Sequence, residues 1–249
     1  MAGHSHSANI AVRKGKQDAR RATQFAKLSK NIMIAARKGP DPDSNFGLRH
    51  AIDLARAASM PKDKIEHAVK KGAGLIEGEK MQEITYEGYG PGGVAIVVET
   101  LTDNINRTRP EITRLFETGG GKLGAGGSVM WMFKRRGVIA VKTDAIAEDK
   151  LMDLVLNAGA DDMSTEGDVF EILTPPENFD AVRKALDGAK VQTEMAELKF
   201  LADNETDADI ETAKKILTLM EKLDDHDDVN AVHSSLKMTD EIVAAMKDV

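Results

Sequence analysis

The sequence predicts an α+β protein: an N-terminal three-helix domain followed by two α/β domains, at least one of them ferredoxin-like. Three observations lead to this fold class. Up to about residue 75, apolar residues recur every three or four positions, as on helices. Beyond residue 81 they alternate at every second position, as in half-buried strands. Residues 137–200 then follow the order βαββαβ, which is typical of a ferredoxin-like sheet covered by two helices.

Length and composition limit the class of protein. With 249 residues and a mean hydropathy of −0.33, the chain is predicted to be globular, and no apolar run reaches the roughly 18 residues of a membrane helix. The absence of cysteine excludes disulfides, thiol nucleophiles and Cys-ligated metals. The first residues lack the apolar core of a signal peptide. We therefore expect a cytoplasmic protein that does not associate with membranes.

The first 75 residues are predicted to form a basic helical domain. Residues 14–38 contain neither Gly nor Pro after the second position, which predicts one long helix. Gly39 ends this helix, and residues 43–45 are candidate caps for a second one. Pro61 suits the first turn of a third helix.

The remaining residues are predicted to form two α/β domains. Residues 81–133 read as a hairpin around GYGPGG, a helix in which Thr108 and Glu111 have capping-box spacing, and a short strand from Ser128 to Phe133. A helix and a strand after residue 203 would complete this sheet. The predicted domain limits are residues 1–75, 81–133 plus 203–236 as a discontinuous middle domain, 134–202 as an inserted βαββαβ domain, and 237–249 as a C-terminal tail.

Charge is distributed very unevenly along the chain. Residues 1–80 hold 16 Lys and Arg against 8 Asp and Glu, a net charge of +8, whereas the remaining residues have a net charge of −15. Lys and Arg on one surface neutralise phosphates, and an ordinary solvated helix face normally mixes both signs. The sequence therefore predicts a nucleic-acid partner for the basic part. The predicted binding cations are Arg13, Lys14, Lys16, Arg20, Arg21, Lys27, Lys30, Arg37 and Lys38.

Two further motifs have both a binding and a purely structural interpretation. DNINRT at 103–108 places Asn104, Asn106 and Arg107 at a helix N-terminus, where free backbone N–H groups attract phosphate, and side-chain capping is the equal alternative. GYGPGG at 88–93 either forms a tight turn or lets a backbone approach RNA. In the second case Tyr86 or Tyr89 would offer a stacking face.

Nothing in the sequence predicts catalysis. Gly119, Gly121 and Gly124 match G-x-G-x-x-G, but a helix precedes them and a strand follows, the reverse of a dinucleotide-binding unit. We interpret these glycines as a helix C-cap and turns. His226 lies in DDHDD, which lacks the spacing of a calcium loop. We expect no catalytic residue, cofactor, metal or small-molecule substrate.

Several motifs together resemble one known family. They are MAGHS…ANI…RK…QDA at the start, YEGYGPGG at 86–93, DNxNRT at 103–108 and GGxLGxxGSVxWxF at 120–133. Their combination and order closely resemble the YebC/PmpR family. The resemblance implies a helical domain, two α/β domains with an acidic surface, and a cytosolic regulator associated with nucleic acid and without known catalysis.

The resemblance leaves the nucleic acid open. Bacterial members are generally described as DNA-binding transcriptional regulators, whereas the mitochondrial relatives and some bacterial members act in translation at the ribosome. We expect a DNA-binding transcriptional regulator, with a ribosome-associated translation factor that binds rRNA as the alternative. The chain departs from the usual start of the family, since His6 and Ser7 stand where Lys and Trp are common, and Ala11 and Val12 where Lys and His are common.

Overall fold

The computed structural model describes residues 21–76 and 81–247, and it confirms the predicted α+β class. The elements in chain order are α1 Arg21–Ala36, α2 Phe46–Ala57, α3 Lys62–Gly72, β1 Gln82–Tyr89, β2 Ala95–Thr102, α4 Ile105–Thr118, β3 Lys122–Leu123, β4 Phe133–Lys142, α5 Glu148–Asn157, β5 Asp162–Glu166, β6 Val169–Thr174, α6 Phe179–Gly188, β7 Thr193–Ala202, α7 Ile210–Asp224, β8 Val229–Ser234 and α8 Asp240–Lys247. Short 3-10 turns occupy Pro91–Gly93 and Met130–Met132.

Helices α1 to α3 form a helical unit with its own core. Ile32 of α1 and Leu48 of α2 are fully buried in it. Asn45 joins the two helices, because its side-chain oxygen accepts the backbone N–H of Leu48 while its amide donates to the carbonyl of Ala35. The described part of the long first helix is therefore as predicted. Residues 14–20, predicted to belong to the same helix, lie outside the described residues.

The first sheet has the strand order β3-β1-β2-β8, and all neighbouring strands are antiparallel. Helices α4 and α7 supply Phe116 and Leu219 to the core on one face. Strand β8 comes late in the chain yet pairs with β2, so that Val98 lies opposite Val232. Two distant stretches of sequence therefore build one sheet. The domain limits themselves stay a prediction.

The second sheet has the order β5-β6-β4-β7 and is also antiparallel throughout. Helices α5 and α6 cover it, with Leu151 and Leu186 packed against Ile139 and Ile172 of the strands. This strand order and the sequence of elements β4-α5-β5-β6-α6-β7 are ferredoxin-like. The prediction of a ferredoxin-like unit is confirmed.

The predicted strand over Ser128–Phe133 is wrong. A 3-10 turn covers Met130–Met132, half of this stretch, and β4 begins only at its last residue. The cause is the Glu87 carboxylate, which accepts the backbone N–H groups of Val129 and Met130 at 2.8 and 2.7 Å. Donors used in this way do not enter a strand ladder.

The predicted capping box at Thr108 and Glu111 is also wrong. Helix α4 starts earlier, at Ile105, and Asn104 is its N-cap, since the Asn104 side chain accepts the N–H of Arg107 at 3.1 Å. An Asn at the cap satisfies one of the free donors of the first turn. Thr108 is instead buried and bonded within the protein.

The C-terminal stretch 237–249, predicted to be a tail, contains α8. Ile242 of this helix is buried with Leu236 and Met238 against α7. Within residues 21–76 and 81–247, no helix combines the length and the apolarity that a membrane crossing needs.

Candidate nucleic-acid interface

Two of the predicted binding cations, one on α1 and one directly after it, contact acidic residues of the first sheet and its helices. The Lys27 ammonium lies 2.6 Å from a carboxylate oxygen of Asp224, at the end of α7. Arg37 pairs with Glu83 on β1 and also donates to the carbonyl of Met81 at 2.6 Å. These contacts place one side of α1 against the acidic part of the molecule, so some of the predicted binding cations hold the fold together instead.

Lys30 is the most deeply buried of the predicted cations whose side chains the structure describes. Its side chain is 9% exposed, and its ammonium lies 3.4 Å from the carboxylate of Asp228, which is also 9% exposed. The ammonium donates in addition to the carbonyl of Asp227. Burial lowers the pKa of Lys30, and the facing Asp228 counteracts this effect. Lys30 is therefore a docking residue between α1 and the start of β8.

Asp228 collects donors from three parts of the fold. Besides Lys30, its carboxylate accepts from the hydroxyl of Thr108 at 2.7 Å, from Arg107 at 2.8 Å and from the hydroxyl of Thr102 at 3.2 Å. Burial would raise the pKa of Asp228, but the hydrogen bonds from Arg107 and Thr108 and the charge of Lys30 outweigh it and lower the pKa to about 2. This carboxylate ties the helical unit, β2 and α4 together.

The DNINRT motif therefore has a clear structural role. Asn104 caps α4, and Arg107 forms ion pairs with Asp103 and Asp228 at 3.1 and 2.8 Å. The side chains of Asn104 and Asn106 are exposed. A nucleic-acid contact by these residues and by Arg107 stays a prediction.

The other predicted cations have different surroundings. Lys38 is exposed and has no ion-pair partner among residues 21–76 and 81–247. Arg21 is helical, but its side chain is not among those described. The remaining four, Arg13, Lys14, Lys16 and Arg20, lie outside the described residues. Their binding role stays a prediction.

A groove between α1 and α3 carries two lysines and a histidine that the sequence analysis did not single out. Lys64, His67 and Lys71 of α3 line it together with Met33 of α1. Lys64 also lies over the ring of Phe25, 5.7 Å from its centroid. The spacing of Lys64, His67 and Lys71 at intervals of three and four residues would have placed them on one helix face.

The groove carries little opposing charge. Asp63 is the one acidic residue in the described lining. Lys71 of this lining has no ion-pair partner in the part of the chain that the structure describes. Neither has Lys70, which is exposed beside the groove but is not part of its lining. The groove between α1 and α3, named here the helical groove, is therefore the described surface best suited to phosphate.

The two glycine-rich motifs meet at a second surface, on the first sheet. Tyr89, at the end of β1, donates its hydroxyl to the carbonyl of Ser128 at 3.0 Å, and the indole N–H of Trp131 donates to the same carbonyl at 3.1 Å. Trp131 is 73% exposed and Tyr89 38%, whereas Tyr86 is buried. Of the two tyrosines predicted to offer a stacking face, Tyr89 is the accessible one.

The G-x-G-x-x-G match is structural. Gly119 is the C-cap of α4. A Cβ on Gly121 would lie 2.5 Å from the Tyr89 carbonyl oxygen, and one on Gly124 would overlap the side chain of Ser128. These glycines let two chain segments pack closely, in agreement with their interpretation as a cap and turns.

His226 lies in a polar turn, as expected. Its Nδ1 accepts the backbone N–H of Asp228 at 3.0 Å, which places the ring proton on Nε2, and Nε2 contacts the carboxylate of Glu111 at 2.9 Å. Glu111, His226 and Asp228 have the ligand types of a metal site. Each of them is already bonded within the protein, and the charges of Arg107 and Lys30 beside Asp228 oppose a cation there.

Comparison with known families explains why these motifs occur together. Residues 5–75 match a model of the TACO1/YebC N-terminal domain, and residues 81–236 match a model of the TACO1/YebC second and third domains. The chain belongs to the TACO1/YebC family. The family predicted from the motifs is thus confirmed.

Individual TACO1/YebC relatives are similar over their whole length. A protein from Maridesulfovibrio salexigens, named probable transcriptional regulatory protein, is 46% identical over 248 residues, which is 100% of both chains. A protein of the same description from Chlorobaculum tepidum is also 46% identical and equally covered. The crystal structure of a conserved hypothetical protein from Aquifex aeolicus matches with a TM-score of 0.82 and 38% identity, covering 97% of each chain.

The TACO1/YebC motifs cluster around two carboxylates in the folded chain. YEGYGPGG contains Glu87, whose carboxylate binds the backbone of the GGxLGxxGSVxWxF segment. DNxNRT contains Arg107 and Thr108, which bind Asp228. The internal roles of Glu87 and Asp228 were not predicted, because a carboxylate that binds distant groups leaves no local pattern in the sequence.

Proposed function

We propose that this chain is a DNA-binding regulator of transcription that acts in the cytoplasm and binds phosphates mainly through its basic N-terminal part. The names of the relatives from Maridesulfovibrio salexigens and Chlorobaculum tepidum support this proposal. So does the net charge of +8 over residues 1–80. The proposed role requires no catalytic group and no cofactor.

The observation that carries the proposal is the helical groove. Lys27, Lys30 and Arg37 are paired with acidic residues of the α/β part, whereas Lys70 and Lys71 have no such partner among the residues described. Lys71 lines the groove and Lys70 lies beside it, so both are well placed to replace the counterions of a nucleic acid. Phosphate contacts of this kind carry no sequence information, so they supply affinity and orientation.

The test measures the affinity of the full chain for a labelled DNA duplex at several salt concentrations. The fluorescence anisotropy of the duplex reports binding. The variant Lys70→Ala with Lys71→Ala removes two proposed phosphate contacts, and the slope of log K against log[salt] should become shallower by about 2 units. A second variant, replacing Arg13, Lys14, Lys16 and Arg20 by Ala, tests the predicted cations outside the described residues in the same way.

The matched control removes two cations from the same unit. Arg56 pairs with Asp53 at 3.2 Å and Lys62 with Glu66 at 3.6 Å, so Arg56→Ala with Lys62→Ala changes the net charge equally without touching the proposed contacts. Equal slopes for wild type, test variant and control would exclude the helical groove as the binding surface.

A second candidate function is a ribosome-associated translation factor that binds rRNA. The exposed rings of Tyr89 and Trp131 favour it, because unpaired bases that can stack on aromatic rings are common in structured RNA. Sedimentation of the protein with ribosomes, together with a structured RNA in the same anisotropy titration, distinguishes the two. Tighter binding to the RNA than to the duplex, with ribosome co-sedimentation, would favour this second function.

A further inference from the structure

We propose that Tyr89, Trp131 and Lys122 form a second nucleic-acid site, named here the aromatic site, which binds an unpaired nucleobase and an adjacent phosphate. It lies on the first sheet, apart from the helical groove, and therefore goes beyond the proposed function. Its expected ligand is a single-stranded stretch of RNA or DNA rather than a duplex.

The polar atoms of Tyr89 and Trp131 are already hydrogen-bonded, so the faces of the two rings are the groups available for binding. Tyr89 and Trp131 both direct their polar atoms at the carbonyl of Ser128, at 3.0 and 3.1 Å. A shared acceptor keeps the rings close together. Since the hydroxyl and the indole N–H are already used, the exposed surface of both side chains is mainly aromatic, which suits stacking by a planar base.

Buried groups hold the loop that carries Trp131 in place. The Glu87 carboxylate, 7% exposed, accepts the backbone N–H groups of Gly127, Val129 and Met130 at 2.6, 2.8 and 2.7 Å. Val129 is fully buried between the strands and anchors the same loop. An exposed Trp on a fixed loop loses little conformational freedom on binding, which favours a recognition role.

Burial would raise the pKa of Glu87, but its three backbone hydrogen bonds outweigh burial and lower the pKa. The carboxylate therefore stays ionised at neutral pH. An ionised Glu87 holds the loop in the same conformation over the pH range in which nucleic acids are bound.

Lys122 supplies the charge of the aromatic site. It lies directly opposite Tyr89 in the antiparallel pair of β1 and β3, and opposite residues of such a pair project from the same face. Lys122 is exposed and has no ion-pair partner in the described part of the chain. A cation beside two ring faces matches the composition of sites that bind single strands, where the rings stack on bases and the cation neutralises the backbone.

The glycines around the site leave room for the ligand. Gly126 and Gly127, in the loop that carries Trp131, have no atom within 4 Å of the position of a Cβ. Such a surface lets a sugar–phosphate backbone approach the protein main chain. Together, the two aromatic rings, the cation and the exposed glycine backbone favour a nucleotide over a purely apolar partner.

The sequence offers a direct reporter for this site, because Trp131 is the only tryptophan of the chain. We would titrate the full-length protein with six-nucleotide strands of adenylate, as RNA and as DNA, and follow tryptophan fluorescence. Stacking of a base should quench the emission. A hexameric abasic strand of the same charge should quench much less, and the RNA and DNA arms show which sugar is preferred.

Variants then separate stacking from other contacts, using anisotropy of a labelled hexamer. Trp131→Ala and Tyr89→Ala should each weaken binding by about 5- to 100-fold, the range for loss of one stacking ring. Tyr89→Phe keeps the ring and should retain most of the affinity. Leu75→Ala, which removes another exposed apolar side chain (64% exposed) in the helical unit, is the control and should change nothing.

Two results would overturn the aromatic site. One is equal quenching by the abasic strand; the other is unchanged hexamer binding by Trp131→Leu, which would show that the strand does not stack on the indole ring. Failure of the aromatic site is distinguishable from failure of the proposed function. Trp131→Ala leaves the salt slope on duplex DNA intact, and Lys70→Ala with Lys71→Ala leaves the quenching intact.

Discussion

Lys30 and Asp228 are 198 residues apart in the chain, and the ammonium of the first lies 3.4 Å from the carboxylate of the second. The pair joins α1 to the start of β8, where Thr102, Arg107 and Thr108 also bind the carboxylate. A positive charge that the sequence predicts to bind nucleic acid thus fixes the helical unit to the first sheet.

Replacing Asp228 by Asn should destabilise the protein by about 3–5 kcal/mol, because Lys30 would remain buried without a counter-charge. Urea unfolding followed by circular dichroism measures the change. Asp224→Asn is the matched control. The Lys27–Asp224 pair is more exposed, at 20% and 27%, and its loss should cost about 1 kcal/mol or less. Equal losses in the two variants would contradict the role given to Asp228.

The pKa of Asp228 predicts a loss of stability in acid. Its folded value of about 2 lies below the ordinary value of 3.8. A carboxyl group with a depressed pKa stabilises the fold above the unfolded value and loses this contribution as the pH falls through the folded one. Between pH 5 and pH 2 the contribution of Asp228 to the free energy of unfolding of the wild type should fall by about 2 kcal/mol. The Asp228→Asn variant lacks this carboxyl group and should not show this loss. If the free energies of unfolding of the two proteins depended on pH in the same way, the low pKa of Asp228 would be refuted.

The raised pKa of Glu171, on β6, predicts the opposite pH dependence of stability. Burial raises its pKa to about 7, the neighbouring Glu166 adds to this, and Lys199 opposes it. Because the folded pKa lies above the unfolded value of 4.5, the favourable contribution is present below pH 4.5 and is lost as the pH rises through 7. Glu171→Gln should therefore be more stable than wild type at pH 8, by about 3 kcal/mol, and similar at pH 4.

The control for Glu171 is Glu197→Gln, on β7. Glu197 is half exposed, at 51%, and pairs with Lys199 at 3.0 Å, so its replacement should alter stability little at either pH. Thermal unfolding at both pH values gives the comparison. A Glu171→Gln variant that gains no stability at pH 8 would show that this carboxyl group is adequately solvated.

Glu87→Gln should loosen the loop that carries Trp131. The carboxylate uses both oxygens to accept three N–H groups, whereas an amide has one oxygen and presents its NH2 to the remaining donors. We expect faster amide hydrogen exchange at Gly127, Val129 and Met130 and a cost of about 1–3 kcal/mol. Glu83→Gln, on the same strand with a surface carboxylate, is the control and should leave these amides protected.

Much of the fold was predictable because the signals are local. The change of period from helix to strand, the cap at Asn45 and the ferredoxin-like order all depend on neighbours in sequence. The inward contacts of Lys27 and Lys30 were not predictable from the helix alone. Apolar residues spaced every three or four positions indicate one packing face for a helix, but α1 has two, one on α2 and α3 and one on β8.

The candidate sites also combine features with a local sequence signal and features that depend on contacts between distant residues. One of the two interpretations of GYGPGG gave Tyr86 or Tyr89 a stacking face; Tyr89 is exposed and Tyr86 is buried, and stacking stays a prediction. Trp131 was not predicted, because only the fold brings its loop to β1. Glu87 carries no local signal, because a buried glutamate and a solvent-exposed glutamate on a strand look alike in sequence. Its three backbone partners lie at least 40 residues away in the chain.

Strand β8 is synthesised after both the helical unit and the second sheet. A nascent chain that has not reached residue 229 leaves the hydrogen-bonding edge of β2 without its neighbour and Lys30 without its carboxylate. The helices and the ferredoxin-like unit each have their own core and so can fold earlier during translation. Attachment of α1 to the first sheet is therefore a late event, which closes a loop of almost 200 residues and is expected to be among the slower steps of folding.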